Sequence, residues 1–145
     1  MNDREFVDTN VLIYAFDRSA GEKRDLAAAL LERLWSERSG CLSLQVLQEF
    51  YVTATRKLRM PPGDAARQVE RLGKWTVHRA SFEDVISAID LHRRKQVAFW
   101  DAMILRSAMK LSCQVLWSED LGSGQRWDSV VVRNPFLCSE PTSDH

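Results

Sequence analysis

The feature that most constrains this chain is an alternation of short apolar segments with longer segments of helical periodicity. The short apolar segments have the character of strands and lie at residues 5–8, 41–44, 75–77, 114–117 and 130–132. Between them, apolar residues recur at i, i+3 and i+4 spacing, which predicts helices over 11–16, 22–38, 45–58, 64–73, 82–94 and 100–111. Strands that alternate with helices predict an α/β domain with a central, mostly parallel sheet.

Local signals add detail to the predicted helices. Ser81 and Asp84 have the spacing of a capping box, and Gly40 is expected to end the helix over 22–38. Three helices have apolar faces that we expect to point inward. These faces comprise Leu26, Ala27, Leu30, Leu31, Leu34 and Trp35; then Val46, Leu47, Phe50, Tyr51 and Ala54; then Val85, Ile86, Ile89 and Leu91.

Length and composition fit one globular domain. The chain has 145 residues, of which 45% are hydrophobic and 28% are charged, and both values are typical of a folded protein. We expect residues 1–137 to form this domain and residues 138–145 to be a frayed C-terminal tail. No apolar run reaches the length of a membrane span, and residues 1–5 do not resemble the start of a signal peptide. We therefore predict a cytoplasmic protein that does not associate with a membrane.

The cysteines and the charges exclude several classes of protein. Cys41, Cys113 and Cys138 show no C-x-x-C spacing, so neither a zinc site nor a disulfide framework is expected, and unpaired thiols suit a reducing compartment. The formal net charge is zero, which excludes a uniformly basic surface. Segment 56–95 nevertheless carries twice as many basic as acidic residues, so a local basic surface that binds nucleic acid is compatible with the charge.

Four acidic residues stand out by their positions. Asp8 ends the first predicted strand, and Asp120 follows the apolar segment 115–117. Because ligands of open parallel sheets bind beyond the carboxyl ends of the strands, we expect these two carboxylates to lie in one cleft. Asp101, in the first turn of a helix, and Glu49, within another helix, have strongly apolar sequence neighbours. A buried acid requires a partner or a cation.

Four carboxylates in one pocket repel each other, and a hard divalent cation removes that repulsion. Mg²⁺ and Mn²⁺ prefer oxygen ligands and retain waters that exchange with substrate. A pair of such ions can activate a water and stabilise the leaving oxygen of a phosphodiester. The sequence has no G-x-S-x-G, P-loop or G-x-G-x-x-G motif that would favour another chemistry.

Each acid also has a simpler structural interpretation when it is taken alone. Asp8 is placed to cap a helix, Asp101 to complement a helix dipole, and Glu49 to be a solvated helix residue. Glu119 competes with Asp120 for the cleft, and neighbouring residues that leave a strand point to opposite sides. The joint occurrence of all four acids favours the metal site.

Four segments in this order make the sequence similar to the PIN-domain ribonucleases, and more narrowly to the VapC-type toxins of bacterial toxin–antitoxin pairs. The matching segments are 6–12 (FVDTNVL), 47–50 (LQEF), 99–102 (FWDA) and 116–121 (LWSEDL), and 134–136 (NPF) also fits the toxin pattern. The resemblance implies a three-layer α/β/α fold around a mostly parallel sheet. It also implies a Mg²⁺- or Mn²⁺-dependent endoribonuclease that cuts RNA phosphodiester bonds.

The same resemblance implies roles for particular residues and for partners. In the family, the acids that match Asp8, Glu49, Asp101 and Asp120 hold the metal. Asn10 and Ser118 match polar positions that help to order the site in the family. Beside Asp120, we expect Glu119 to support the site either as an outer ligand or from behind the ligands. The partners implied are an RNA substrate, an inhibitory antitoxin encoded beside the gene, and a second copy of the chain in a homodimer.

Several alternatives stay open. Arg56, Lys57 and Arg59 are candidates for binding the RNA backbone, and a plain solvated face explains them equally well. The same chemistry would serve a housekeeping RNA-processing nuclease that has no antitoxin. A non-catalytic module that binds RNA or protein would retain the acids for structure. A phosphotransfer enzyme with Asp8 as nucleophile usually has a second Asp two residues on, where this chain has Asn10.

Overall fold

A six-stranded sheet forms the centre of the molecule. The computed structural model describes residues 3–137. The strands are β1 (Glu5–Val7), β2 (Gly40–Ser43), β3 (Thr76–His78), β4 (Val115–Trp117), β5 (Arg126–Trp127) and β6 (Val130–Arg133). Their order is β3-β2-β1-β4-β6-β5, and every neighbouring pair is parallel except β5 and β6. The prediction of an α/β fold with a mostly parallel sheet is therefore confirmed.

Six α-helices flank the sheet in the described part of the chain. They are α1 (Thr9–Ala15), α2 (Glu22–Glu37), α3 (Leu44–Arg56), α4 (Pro62–Leu72), α5 (Phe82–Lys95) and α6 (Phe99–Lys110). A short 3₁₀ turn, Arg18–Ala20, connects α1 to α2. No helix within residues 3–137 is long and apolar enough to cross a membrane.

The core lies on both faces of the central strand. Phe6 and Val7 of β1 have no exposed surface, as expected for a parallel strand that is covered on both sides. Side chains from α1, α2 and α3 pack around them, among them Leu12, Leu34 and Phe50. A smaller apolar cluster joins α5 to α6. Cys41 and Cys113 are buried free thiols, in agreement with the expected absence of a disulfide between them, while Cys138 lies outside the described residues.

The topological switch point of the sheet lies between β1 and β4, where the chain changes the side on which it adds strands. From β1 the chain builds outward to β2 and β3 on one side, and it later returns to add β4 and β6 on the other. Val7 and Trp117 are partners in the ladder, and Asp8 N–H donates to the Trp117 carbonyl at 2.9 Å. The residues that follow β1 and β4 therefore leave the sheet side by side, at the position where open α/β sheets bind ligands.

The structure corrects several local predictions. The pair β5–β6 forms a hairpin whose first strand has only two residues, too few to show an alternating pattern. Gly40 begins β2 instead of ending α2, and a Cβ at this position would lie 2.4 Å from the Trp75 ring. The C-cap of α2 is Arg38, in the left-handed conformation.

Some apolar side chains that we expected to point inward are exposed instead. Tyr51 of α3 is 38% exposed, and Ile86 of α5 is 50% exposed. The same holds for Leu26, Trp35 and Ile89. The apolar stripe on each of these helices is wider than the area that the neighbouring elements cover, so the edge of the stripe faces solvent. The predicted C-terminal tail, residues 138–145, lies outside the described residues.

Candidate active site

Asp8 lies at the junction of β1 and α1 and is buried. Its side chain caps α1 by accepting from the Thr9 N–H at 2.7 Å, and it also accepts from the Ser118 hydroxyl at 2.8 Å. Burial raises the pKa of Asp8 to about 6. The two hydrogen bonds oppose this effect, while the negative charges of Asp101 and Glu49 add to it.

The loop after β4 brings Asp120 to the same place through a set of hydrogen bonds. Asn10 in α1 donates from Nδ2 to the Asp120 carboxylate at 3.0 Å, and its Oδ1 accepts from the Glu119 N–H at 3.3 Å. Ser118 is fully buried, and besides donating to Asp8 it accepts from the Leu121 N–H at 3.3 Å. Asn10 and Ser118 therefore fix the loop relative to α1.

Glu49 enters the site from α3. One carboxylate oxygen accepts from the Thr9 hydroxyl at 2.5 Å, and the other accepts from the Gln45 amide, one helical turn earlier, at 3.0 Å. The same Gln45 amide donates to the Trp100 carbonyl at 3.3 Å. Gln45 thus connects α3 to the start of α6, where Asp101 lies.

Asp101 is half-buried in the first turn of α6. Burial raises its pKa, and the charges of Asp120 and Glu49 raise it further. No hydrogen bond or salt bridge from another group within residues 3–137 compensates its carboxylate. This carboxylate is therefore left with the repulsion of its acidic neighbours.

All four predicted acids line one cleft of about 350 Å³. The cleft is lined by Asp8, Thr9, Asn10, Ile13, Tyr14, Asp17, Glu49, Thr53, Lys57, Asp101 and Asp120. Within the described part of the chain, no salt bridge joins any of the four predicted acids to a lysine or arginine. The cleft consequently carries more negative charge than its surroundings neutralise.

The donor atoms fit a hard divalent cation. They are all oxygen atoms, and Mg²⁺ and Mn²⁺ prefer such ligands. In residues 3–137, no three His, Cys, Asp or Glu side chains already lie close enough together to form a ready-made metal site. Within the cleft, Glu49 is hydrogen-bonded to Thr9 and Asp120 to Asn10. Mg²⁺ commonly binds through one or two carboxylates and keeps several waters, so it does not require a preformed cage of protein ligands.

The remaining predicted site residues are divided between the cleft and its surroundings. Glu119 does not line the cleft and pairs with Lys23 at 2.5 Å. Lys57 lines the cleft, whereas Arg59 lines a neighbouring groove and the exposed Arg56 lines neither.

Sequence reasoning missed three residues that organise the site. Thr9 and Gln45 both bond to Glu49, and the spacing of Gln45 four residues before Glu49 on a helix was a usable signal. Lys23 of α2 lies over the Tyr14 ring at 5.0 Å while it holds Glu119. Nothing in the sequence signals this contact, because the two charged residues are 96 positions apart.

A protein-family model describes most of this chain. The model of the PIN domain matches residues 6–122, which include all four acids of the cleft. The chain belongs to the PIN-domain family. The comparison with curated protein sequences gave no significant match.

Solved structures with the same fold come from toxin–antitoxin systems. A toxin–antitoxin complex from Klebsiella pneumoniae superposes with a TM-score of 0.68 at 21% identity, covering 91% of this chain and 98% of that one. VapC20 of Mycobacterium tuberculosis, described as a toxin that cleaves the sarcin–ricin loop, superposes with a TM-score of 0.63 at 21% identity, covering 80% of this chain and 89% of that one. FitAcB from Neisseria gonorrhoeae superposes with a TM-score of 0.62 at 18% identity, covering 92% of this chain and 99% of that one. At these identities the likeness shows the shared PIN-like fold.

Proposed function

We propose that this PIN-domain protein is a metal-dependent endoribonuclease. The observation that carries the proposal is the cleft that Asp8, Glu49, Asp101 and Asp120 line at the switch point of the sheet, where none of the four forms a salt bridge with a lysine or arginine of the described chain. These four side chains would hold one or two Mg²⁺ or Mn²⁺ ions. Bound there, the ions would supply an activated water and offset the charge that develops on the phosphodiester.

Neighbouring residues of the chain hold three of the four carboxylates in position. Thr9 and Gln45 restrain both oxygens of Glu49, and Asn10 restrains Asp120. Ser118 donates to Asp8 and favours the ionised form of this carboxylate against its burial. Partners that orient ligand side chains in this way typically change metal affinity or activity by about 10- to 100-fold when they are removed.

We propose further that the protein acts as the toxin of a toxin–antitoxin pair. Similar folds occur in toxin–antitoxin complexes from several bacteria, and one similar structure is a toxin that cleaves ribosomal RNA at the sarcin–ricin loop. On this proposal the substrate is RNA and the cleft is inhibited by an antitoxin protein. Expression of the wild-type chain alone should arrest bacterial growth, and the Asp8→Asn variant should not. Normal growth together with RNA cleavage by the pure protein would instead indicate an RNA-processing nuclease.

The nuclease proposal is tested by incubating the pure protein with end-labelled total RNA. We expect discrete fragments with Mg²⁺ or Mn²⁺, and intact RNA with EDTA or with Asp8→Asn. A mass measurement of the sample identifies any antitoxin that copurifies and masks activity. Intact RNA in every condition, from a sample free of other protein, would contradict the proposal.

A further inference from the structure

A second and larger groove adjoins the acidic cleft. It has a volume of about 810 Å³ and lies between the end of α1, the 3₁₀ turn, the start of α2 and the connection from α3 to α4. We call it the basic groove. Asp17 and Lys57 line both this groove and the acidic cleft, so the two depressions are adjacent.

Cations outnumber anions along the basic groove. The basic side chains that line it are Arg18, Arg24, Lys57, Arg59 and Arg67, and the acidic ones are Asp17 and Asp64. Arg67 pairs with Asp64, and Arg24 pairs with Asp25 outside the groove. The Asp17 carboxylate accepts two hydrogen bonds from Ser19, at 3.0 Å from its N–H and 2.6 Å from its hydroxyl.

Three exposed cations of the groove have no side-chain hydrogen-bond partner within the described chain, and Lys57 interacts with the Asp17 carboxylate through charge alone. Arg18, Lys57 and Arg59 take part in no salt bridge or side-chain hydrogen bond with other residues of the described chain, 3–137. They come from the 3₁₀ turn and from the residues after α3, so a ligand that contacts all three must follow the groove. Three spaced cations along a groove match a polyanion better than a single small anion.

The groove also contains apolar surface beside these cations. Phe16 is half-buried in its wall and packs edge-on against Phe50 with the ring centroids 5.4 Å apart, which fixes the ring orientation. Met60 and Pro61 line the same depression. Single-stranded RNA offers both the phosphate charges and the unstacked bases that such a surface contacts.

We infer that the basic groove binds the backbone of a single-stranded RNA segment that flanks the bond to be cut, through Arg18, Lys57 and Arg59. This inference rests on the proposed nuclease function. It predicts that the RNA runs from the four acids into the basic groove. The acidic cleft repels phosphate, and the cations of the adjoining basic groove offset that repulsion. It retains Lys57 and Arg59 from the sequence-based candidates, adds Arg18 and leaves out Arg56.

The test measures binding of a fluorescein-labelled, 12-nucleotide single-stranded RNA by anisotropy in EDTA, over a series of salt concentrations. The groove variant is Arg18→Gln/Lys57→Gln/Arg59→Gln. The matched control is Arg79→Gln/Arg93→Gln/Lys95→Gln, which removes the same charge from exposed positions outside the site. The salt slope is the magnitude of the slope of the logarithm of the binding constant against the logarithm of the salt concentration. For a single strand, each lost phosphate contact lowers this slope by about 0.7. The groove variant should therefore have a slope lower by about 2 and should bind RNA about tenfold or more weakly than the wild type.

The control variant should bind RNA within about twofold of the wild type if the groove carries the contacts. Equal losses in both variants, an unchanged salt slope in the groove variant, or no RNA binding by the wild type would overturn the inference. A labelled oligoglutamate peptide that binds the wild type more tightly than RNA would assign the groove to an acidic protein segment, and would also overturn it. If the triple variant fails to fold, the three single-substitution variants replace it in the test. Each is expected to have a salt slope lower by about 0.7 than that of the wild type.

The design separates this inference from the nuclease proposal because binding is measured without metal. If Mg²⁺-dependent cleavage is lost in Asp8→Asn while the groove variant binds RNA like the wild type, only the groove inference fails. If the groove variant loses RNA binding while the wild type cuts no RNA in any metal, only the nuclease proposal fails.

Discussion

At Asp8, burial and neighbouring negative charge compete with hydrogen bonding. The hydrogen bonds from Thr9 and Ser118 favour the carboxylate, yet burial dominates and the pKa rises from about 3.8 to about 6. A carboxyl group whose pKa is higher in the folded than in the unfolded state destabilises the fold once it ionises. The metal-free protein should therefore lose stability as the pH rises from about 4 to about 6, and stay at the lower level above that.

Replacement of Asp8 by Asn should remove this pH dependence. We expect Asp8→Asn to be more stable than the wild type in EDTA at pH 7, by about 3 kcal/mol for a shift of about two pKa units. Mg²⁺ should raise the melting temperature of the wild type but not that of the variant, because a cation compensates the charge. Thermal unfolding between pH 4 and pH 8, with and without Mg²⁺, measures both effects. Parallel curves for the two proteins would contradict this account of Asp8.

At the scale of elements, a buried polar cluster attaches α5 and α6 to the edge strand β3. Asp84 of α5 bonds to His78 Nε2 at 3.1 Å and to Arg106 Nε at 2.8 Å, and His78 Nδ1 lies 2.8 Å from the Ser107 hydroxyl. Burial works against the Asp84 carboxylate, but hydrogen bonds from Ser81 and Arg106 and the charge of His78 hold its pKa at about 2. The cluster thereby fixes the helix that carries Asp101.

Loss of the Asp84 charge should weaken this attachment. We expect Asp84→Asn to lower the free energy of unfolding by about 2 to 4 kcal/mol, because Arg106 loses its counter-charge and the hydrogen bonds of Asp84 with His78 and Ser81 are disrupted. Asp90→Asn on the same helix is the control, since the exposed Asp90–Arg94 pair contributes less than about 0.5 kcal/mol. Urea unfolding at pH 7 compares the two variants. An Asp84→Asn stability within about 0.5 kcal/mol of the wild type would show that the cluster is not what holds α5 and α6.

The success of the sequence-based predictions depended on whether a signal was local. The capping box at Ser81 and the first strand are determined by a few adjacent residues, and both are observed, although the strand ends at Val7, one residue before the predicted Asp8. The two-residue strand β5 has no pattern of its own and forms by pairing with β6. Ile86 has helical periodicity but is exposed, because periodicity does not show how much of a helix face the rest of the chain covers.

In the candidate site, too, features that depend on local sequence were predictable and contacts between distant segments were not. That Asp8 and Asp120 would meet could be predicted, because parallel strands end at one edge of a sheet. The contacts of Glu49 with Thr9 and of Lys23 with Glu119 join distant segments, and only the folded chain brings their side chains together. The metal-binding roles of the four acids stay a prediction.

Across the described part of the molecule, three of the most exposed large apolar side chains lie on α5 and α6. Phe82 and Ile86 of α5 are 72% and 50% exposed, and Trp100 of α6 is 62% exposed. Exposed apolar surface of this kind commonly marks a protein interface. It is therefore where we expect the homodimer, which the family resemblance implies, to form.

Light scattering after size-exclusion chromatography should show twice the chain mass of 16.7 kDa. The Phe82→Glu/Ile86→Glu variant should be monomeric, because charge at these positions prevents apolar burial. The control Leu26→Glu/Ser36→Glu changes exposed positions on α2 and should leave the mass of the wild type unchanged. A monomeric wild type, or a dimer that persists in the Phe82→Glu/Ile86→Glu variant, would contradict this assignment.

In the proposed mechanism, the four carboxylates act together to support metal-dependent RNA cleavage. The most direct test is the cleavage rate in Mg²⁺ of Asp101→Asn, measured beside Asp90→Asn, which removes an equal charge outside the cleft. We predict that Asp101→Asn loses activity by about 100-fold or more while its fold is retained, because a ligand at the reacting centre is removed. We expect Asp90→Asn to cut RNA at the wild-type rate. Full activity of Asp101→Asn would contradict the metal assignment and the mechanism that depends on it.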